Sequence, residues 1–124
     1  MRVFVYGTLK RGYGNNRLLD NSTFVENAVL KDHSAIYSFG TGGFPVAFPA
    51  EGKNLTGEIW DISGPHKKET LRRLDALEGE GYMYHRIYNE ELDASYYLGG
   101  SMWNVEKSVE VPAIAPNTHE WSRG

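Results

Sequence analysis

The segment Arg2-Val3-Phe4-Val5-Tyr6 sets the tightest limit on the fold. A strand turns successive side chains to opposite faces, so Val3 and Val5 point one way and Phe4 and Tyr6 the other. Both sets are apolar, which predicts a first strand buried on both faces. The chain turns at once after it, in the glycine-bounded loop Gly7-Thr8-Leu9-Lys10-Arg11-Gly12. Thr23 to Leu30 and Ser34 to Phe39 read as further strands with weaker alternation. Thr41-Gly42-Gly43 is a turn, and Phe44 to Pro49 is extended; its two prolines predict an edge strand or loop. Leu55 to Ile62 reads as a strand whose internal Gly57 signals a bulge or a close backbone approach. Tyr82 to Asn89 and Ala94 to Leu98 read as two strands joined at Glu90-Glu91-Leu92-Asp93.

One helix is expected, from about Pro65 to Leu77. Ser63-Gly64-Pro65 is a start signal with proline at the first helical position. Leu71, Leu74 and Leu77 mark its buried face, and Gly79 is the stop. One helix among about six short strands predicts an α+β domain on a closed or nearly closed sheet. The 124 residues fit one domain, 1–124. The stretch from Pro112 to Gly124 has no clear period, so residues beyond about 110 form a tail without an assigned element.

Composition narrows the chemistry. The formal net charge of −3 argues against a nucleic-acid module, which carries a basic excess. There is no cysteine, hence no thiolate nucleophile, no thiolate metal ligand and no disulfide, in keeping with a cytoplasmic setting. The apolar start is too short for a signal peptide, and no apolar run is long enough to span a membrane. His33, His66, His85 and His119 lack the spacing of a helical zinc site, and their plain reading is four structural or surface histidines. No Gly-x-Ser-x-Gly elbow occurs. Lys67, Lys68, Arg72 and Arg73 read as a solvated helix face. Trp60, Tyr96, Tyr97 and Trp103 read as core.

Two features could carry chemistry. Glu78 follows Leu74 by four residues and Leu71 by seven, so it shares the apolar helix face. It also lies at the helix C-terminus, where the backbone dipole is negative. Both effects raise a carboxyl pKa and suit it to acid and base work near neutrality. The plainer alternative is a glutamate in solvent, or one paired with Arg73 or Arg86. Tyr6-Gly7-Thr8-Leu9 is the second feature: successive N–H groups at a glycine turn can form a nest for a carboxylate or phosphate. The spacing is not that of a P-loop, and the plainer alternative is an ordinary turn. Asp75, three residues before Glu78, could pair with it, but satisfying backbone or arginine groups beside the loop is the favoured role. Glu80 should point away from the helix face.

These motifs occur in an order that resembles the γ-glutamylcyclotransferase-like (AIG2-like) family. Val5-Tyr6-Gly7-Thr8-Leu9-Lys10, with Asn16 and Leu19, resembles its opening. Gly43-Phe44-Pro45 resembles its Gly-aromatic-Pro element, and Gly57-Glu58-Ile59-Trp60 its Gly-Glu-hydrophobic-aromatic strand. Leu74-Asp75-Ala76-Leu77-Glu78-Gly79 and Tyr84-His85-Arg86 resemble its helix-end signature. Gly81 departs from the proline many members carry there. The resemblance implies a small mixed β-barrel with flanking helices and one cavity. It implies cyclisation of a γ-glutamyl amide to 5-oxoproline and a free amine, on a small-molecule substrate and without cofactor or metal. Carried over, Glu78 is the general acid and base; Gly7, Thr8 and Leu9 give backbone contacts; Tyr6 lines the pocket; Asp75, Tyr84 and Arg86 support them. A binding module of the same fold, holding an acidic or γ-glutamyl ligand without turnover, is the alternative. A protein-interaction domain whose partner covers the cavity is a weaker one.

Overall fold

A computed structural model of the chain describes residues 1–37, 45–78, 84–99 and 108–122, apart from the side chain of Glu78. The expected turn at Thr41-Gly42-Gly43, the Gly79 stop, Glu80, Gly81 and Trp103 fall outside these residues.

The elements run β1 (Arg2–Val5), a 3-10 helix (Gly14–Leu19), β2 (Thr23–Tyr37), β3 (Val46–Asp61), α1 (Lys67–Glu78), β4 (Tyr84–Asn89), β5 (Ala94–Gly99), β6 (Val109–Glu110), β7 (Ala113–Ala115) and β8 (Thr118–His119). They form one mixed sheet in the order β4-β5-β1-β3-β2-β6, with β8 paired to β3 and β7 to β8. β1 lies antiparallel to the end of β3, Val5 opposite Glu58. β5 runs parallel both to β1, through Val3 and Ser95, and to the start of β3, through Ala47 and Leu98. The sheet therefore turns back on itself around β5.

β1 is buried on both faces, as its sequence predicts. Val3 and Val5 pack with Leu19, Ile62, Leu74 and Tyr97, beneath the two helices. Phe4 and Tyr6 pack with Leu30, Leu55, Ile59 and Trp121 on the other side. Burying such side chains contributes roughly 1.5–3 kcal/mol each before conformational entropy is counted.

Three expectations are corrected. The two strands expected from Thr23 are one, β2, as far as Tyr37, and Val46 to Pro49 is continuous with Leu55 to Asp61 in β3; Ser38, Phe39 and Phe44 fall outside the described residues. The alternation breaks because the ladder does: Lys31 faces Asn54, but His33 faces Pro49. Asp32 at φ 59° and Gly52 at φ 78° absorb the shift, and the Gly52 N–H donates to the Asp32 carboxylate at 3.0 Å. Secondly, Val46 to Pro49 is not an edge, since Ala47 has partners in both β2 and β5. Pro49 is tolerated at the register shift, where a missing donor breaks no regular ladder. Thirdly, the helix starts at Lys67, and Leu77 is 40% exposed. The buried row runs through Thr70 and Leu74, one helical turn apart, with Leu71 half-buried beside it. Pro65 lies in the turn before the helix, where Lys67 N–H bonds the Gly64 carbonyl at 3.2 Å.

The segment without an assigned element is part of the sheet. β8 pairs with β3 at Asn54 and Leu55, and Val111, His119 and Trp121 are buried. Among the described residues no helix is long and apolar enough to cross a membrane.

Candidate functional site

β1 ends at Val5, and the chain closes a turn in which Lys10 N–H donates to the Gly7 carbonyl at 3.0 Å. That bond leaves the two central amides, Thr8 and Leu9, without an acceptor among the described residues. Side chains of the following 3-10 helix hold the turn open: Asn15 Nδ2 donates to Thr8 Oγ1 at 2.9 Å, and Asn16 Nδ2 to the Leu9 carbonyl at 2.8 Å. Gly7 has a steric reason for being glycine. A Cβ there would stand 2.8 Å from Pro45 Cγ.

Glu58 anchors the far side of the turn. Its buried carboxylate accepts the Arg11 backbone N–H at 2.9 Å, Arg11 Nε at 3.2 Å and Trp60 Nε1 at 3.2 Å. The Arg11 guanidinium covers the Phe24 ring at 3.7 Å, a cation–π contact. A carboxylate inside a strand, between Gly57 and the apolar pair Ile59-Trp60, was the available signal for this role; its partners on the loop are not readable from spacing.

The other predicted residues gather on the helix side. Tyr97 of β5 donates through its hydroxyl to Asp75 Oδ1 at 2.7 Å, and Arg86 of β4 lies 3.3 Å from Asp75 Oδ2. The Tyr97 carbonyl accepts the Tyr6 hydroxyl, which also receives the Ala47 N–H at 3.1 Å. Tyr84 donates to the Pro45 carbonyl at 2.9 Å, and Pro45 is the residue against Gly7. A continuous chain of contacts thus joins Asp75, near the helix end, to Tyr6 and Gly7 at the turn. Tyr6 itself is 6% exposed with its hydroxyl held inside the protein. Glu78 closes the helix, and its side chain lies outside the described residues. Arg73 pairs with Glu69 at 2.9 Å. Removing the Tyr97 hydroxyl by Tyr97→Phe is expected to lower stability by about 1.5–3 kcal/mol, the worth of a hydrogen bond to a charged group. Urea denaturation measures it, and an unchanged midpoint would show that the pair carries no load.

A shallow groove of about 340 Å³, lined by Met1, Arg2, Asp61, Tyr88, Asp93 and Ser95, opens at the other end of β1 and contains none of the predicted site residues. Among the described residues no cluster of three or more His, Asp or Glu could hold a metal ion.

Residues 3–123 match the family model described as γ-glutamyl cyclotransferase, AIG2-like. Over 86 residues the chain is 35% identical to the γ-glutamylcyclotransferase family protein YtfP of Escherichia coli K12, covering 69% of either chain. It is 34% identical over 91 residues to the γ-glutamylaminecyclotransferase of Rattus norvegicus, which is 68% of this chain and 58% of the rat protein. The crystal structure of an AIG2-like protein from Mus musculus superposes with a TM-score of 0.68 at 25% identity, over 86% of this chain and 80% of that one.

Proposed function

The chain belongs to the γ-glutamyl cyclotransferase, AIG2-like family, and from that premise we propose that it cyclises a γ-glutamylamine, releasing 5-oxoproline and a free amine. The observation that carries this reading is the turn at Gly7: two central amides without an acceptor among the described residues, in a loop fixed by Asn15, Asn16 and Glu58. Such a pair of N–H groups suits the α-carboxylate of a glutamyl group. Carboxylate capture at that end leaves the γ-carbonyl to extend toward the helix.

The substrate supplies its own nucleophile. Its α-amine attacks the γ-carbonyl carbon, a C–N bond forms, and the γ-amide C–N bond breaks. The enzyme must hold the glutamyl chain folded and move one proton. Proximity of this kind can contribute about 7 kcal/mol or more toward the barrier. Glu78 removes the proton from the α-amine and returns it to the departing amine. Position 78 comes next after Thr70 and Leu74 on the four-residue row of the helix. Asp75, less than one turn earlier, is linked through Tyr97 to Tyr6. Asp75, Arg86 and Tyr84 then act as supports for the helix end and the Pro45 wall. The amine class follows the name of the rat relative.

Incubation of the purified chain with γ-glutamylamines and with γ-glutamyl amino acids is expected to yield 5-oxoproline from the first group. Mass spectrometry of the products checks it. Ligand binding without 5-oxoproline from either group would overturn turnover and leave a binding module.

A further inference from the structure

Lys10 carries an ammonium group that the proposed chemistry leaves unused. The residue is 7% exposed, and lysine is almost never so buried unless it is paired. Nζ donates to the Trp121 carbonyl at 2.7 Å and lies 5.5 Å from the centre of the Tyr13 ring. That ring packs against Trp121 at 5.2 Å. Among the described residues no carboxylate comes within ion-pair range of Nζ; Glu58 and Glu120 act on it from further away. Burial accordingly pulls the Lys10 pKa below the usual lysine range. An ion so placed costs desolvation that one carbonyl offsets only in part, so its burial calls for a reason beyond stability.

The bond does something else. Trp121 is 2% exposed, and its neighbours are tied to the sheet: β8 pairs with Asn54 and Leu55, and Glu120 N–H bonds the Pro112 carbonyl at 3.1 Å. The Trp121 carbonyl is therefore a fixed point. Lys10 is the residue whose own N–H closes the Gly7 turn. We propose that Lys10 is a positioning residue: its bond to the Trp121 carbonyl pins the Gly7–Lys10 turn, so that the segment from Val111 to Trp121 is part of the scaffold of the substrate site. The inference rests on reading that turn as the carboxylate-binding element.

The test uses Lys10→Met, which keeps the stem and removes the charge, and Lys10→Arg, which restores a cationic donor. γ-Glutamyl-ε-lysine is the substrate probe. The Met variant leaves the Trp121 carbonyl without its donor, so the thermal midpoint should fall by a few degrees; KM should rise about tenfold and kcat stay within about threefold, because the change loosens binding rather than proton transfer. The Arg variant should recover most of the loss in KM. Amide hydrogen exchange without substrate gives a second readout: protection of residues 10 and 11, whose N–H groups close the loop, should fall in the Met variant alone. Lys10→Gln replaces the Met variant if that one does not fold. Unchanged KM, or unchanged protection at residues 10 and 11, would overturn the pin. A wild-type chain without turnover would sink the cyclisation reading, and the exchange experiment would still decide whether Lys10 holds the turn.

Discussion

Glu78→Gln is expected to lower the rate of 5-oxoproline release by about 10²- to 10⁴-fold, the usual worth of a positioned acid and base. Glutamine keeps the volume and the hydrogen-bonding reach of glutamate but cannot accept and return a proton. Substrate capture at the Gly7 turn does not use that proton, so KM should change little, and the loss should fall on kcat. A residual rate should survive, because the folded glutamyl chain still brings amine and carbonyl together. Steady-state release of 5-oxoproline checks the result. A variant that turns over at the wild-type rate would remove Glu78 from the mechanism, and the family assignment would be untouched.

Gly57→Ala is expected to cost about 3 kcal/mol or more, through overpacking. A Cβ at this position would lie 2.4 Å from the Val5 carbonyl oxygen and 2.6 Å from Phe4 Cζ. A flexible side chain could step aside, but the carbonyl belongs to β1, whose ladder with β3 runs from Arg2 to Val5. Relief requires moving the strand that separates the two halves of the core. Against a net stability of roughly 5–15 kcal/mol for a domain, that loss is large. Gly52→Ala is the control: it has open space and only a positive φ of 78°, and it should cost about 1–2 kcal/mol. Denaturant midpoints of the two variants measure the difference, and equal midpoints would mean that β1 yields without cost.

Periodicity made β1, the helix and the β4–β5 hairpin legible. Val3 and Val5 against Phe4 and Tyr6 describe a strand covered on both sides, and the two core clusters divide along that alternation. Periodicity failed where register shifts. The offset around Asp32 and Gly52 resets the alternation, so two continuous strands read as four pieces. It also failed for β7 and β8, which are too short to show a period and owe their place to β3. Leu77 was misjudged because Thr70 takes the buried row that an apolar count assigns to leucine. At the candidate site, glycine and the helix end were readable as local chemistry. The pins were not: Glu58 to Arg11 spans 47 residues and Lys10 to Trp121 spans 111, and nothing in local spacing encodes such partnerships.

β3 bonds to four other strands, β1, β2, β5 and β8, along its own length. No neighbour of that strand can melt alone without baring a row of its backbone donors and acceptors. Sliding it by one residue would turn every side chain on it to the wrong face. Among the described strands β4, β6 and β7 pair only with β5, β2 and β8 and can fray from the margins, whereas the release of β3 would take the centre of the sheet with it.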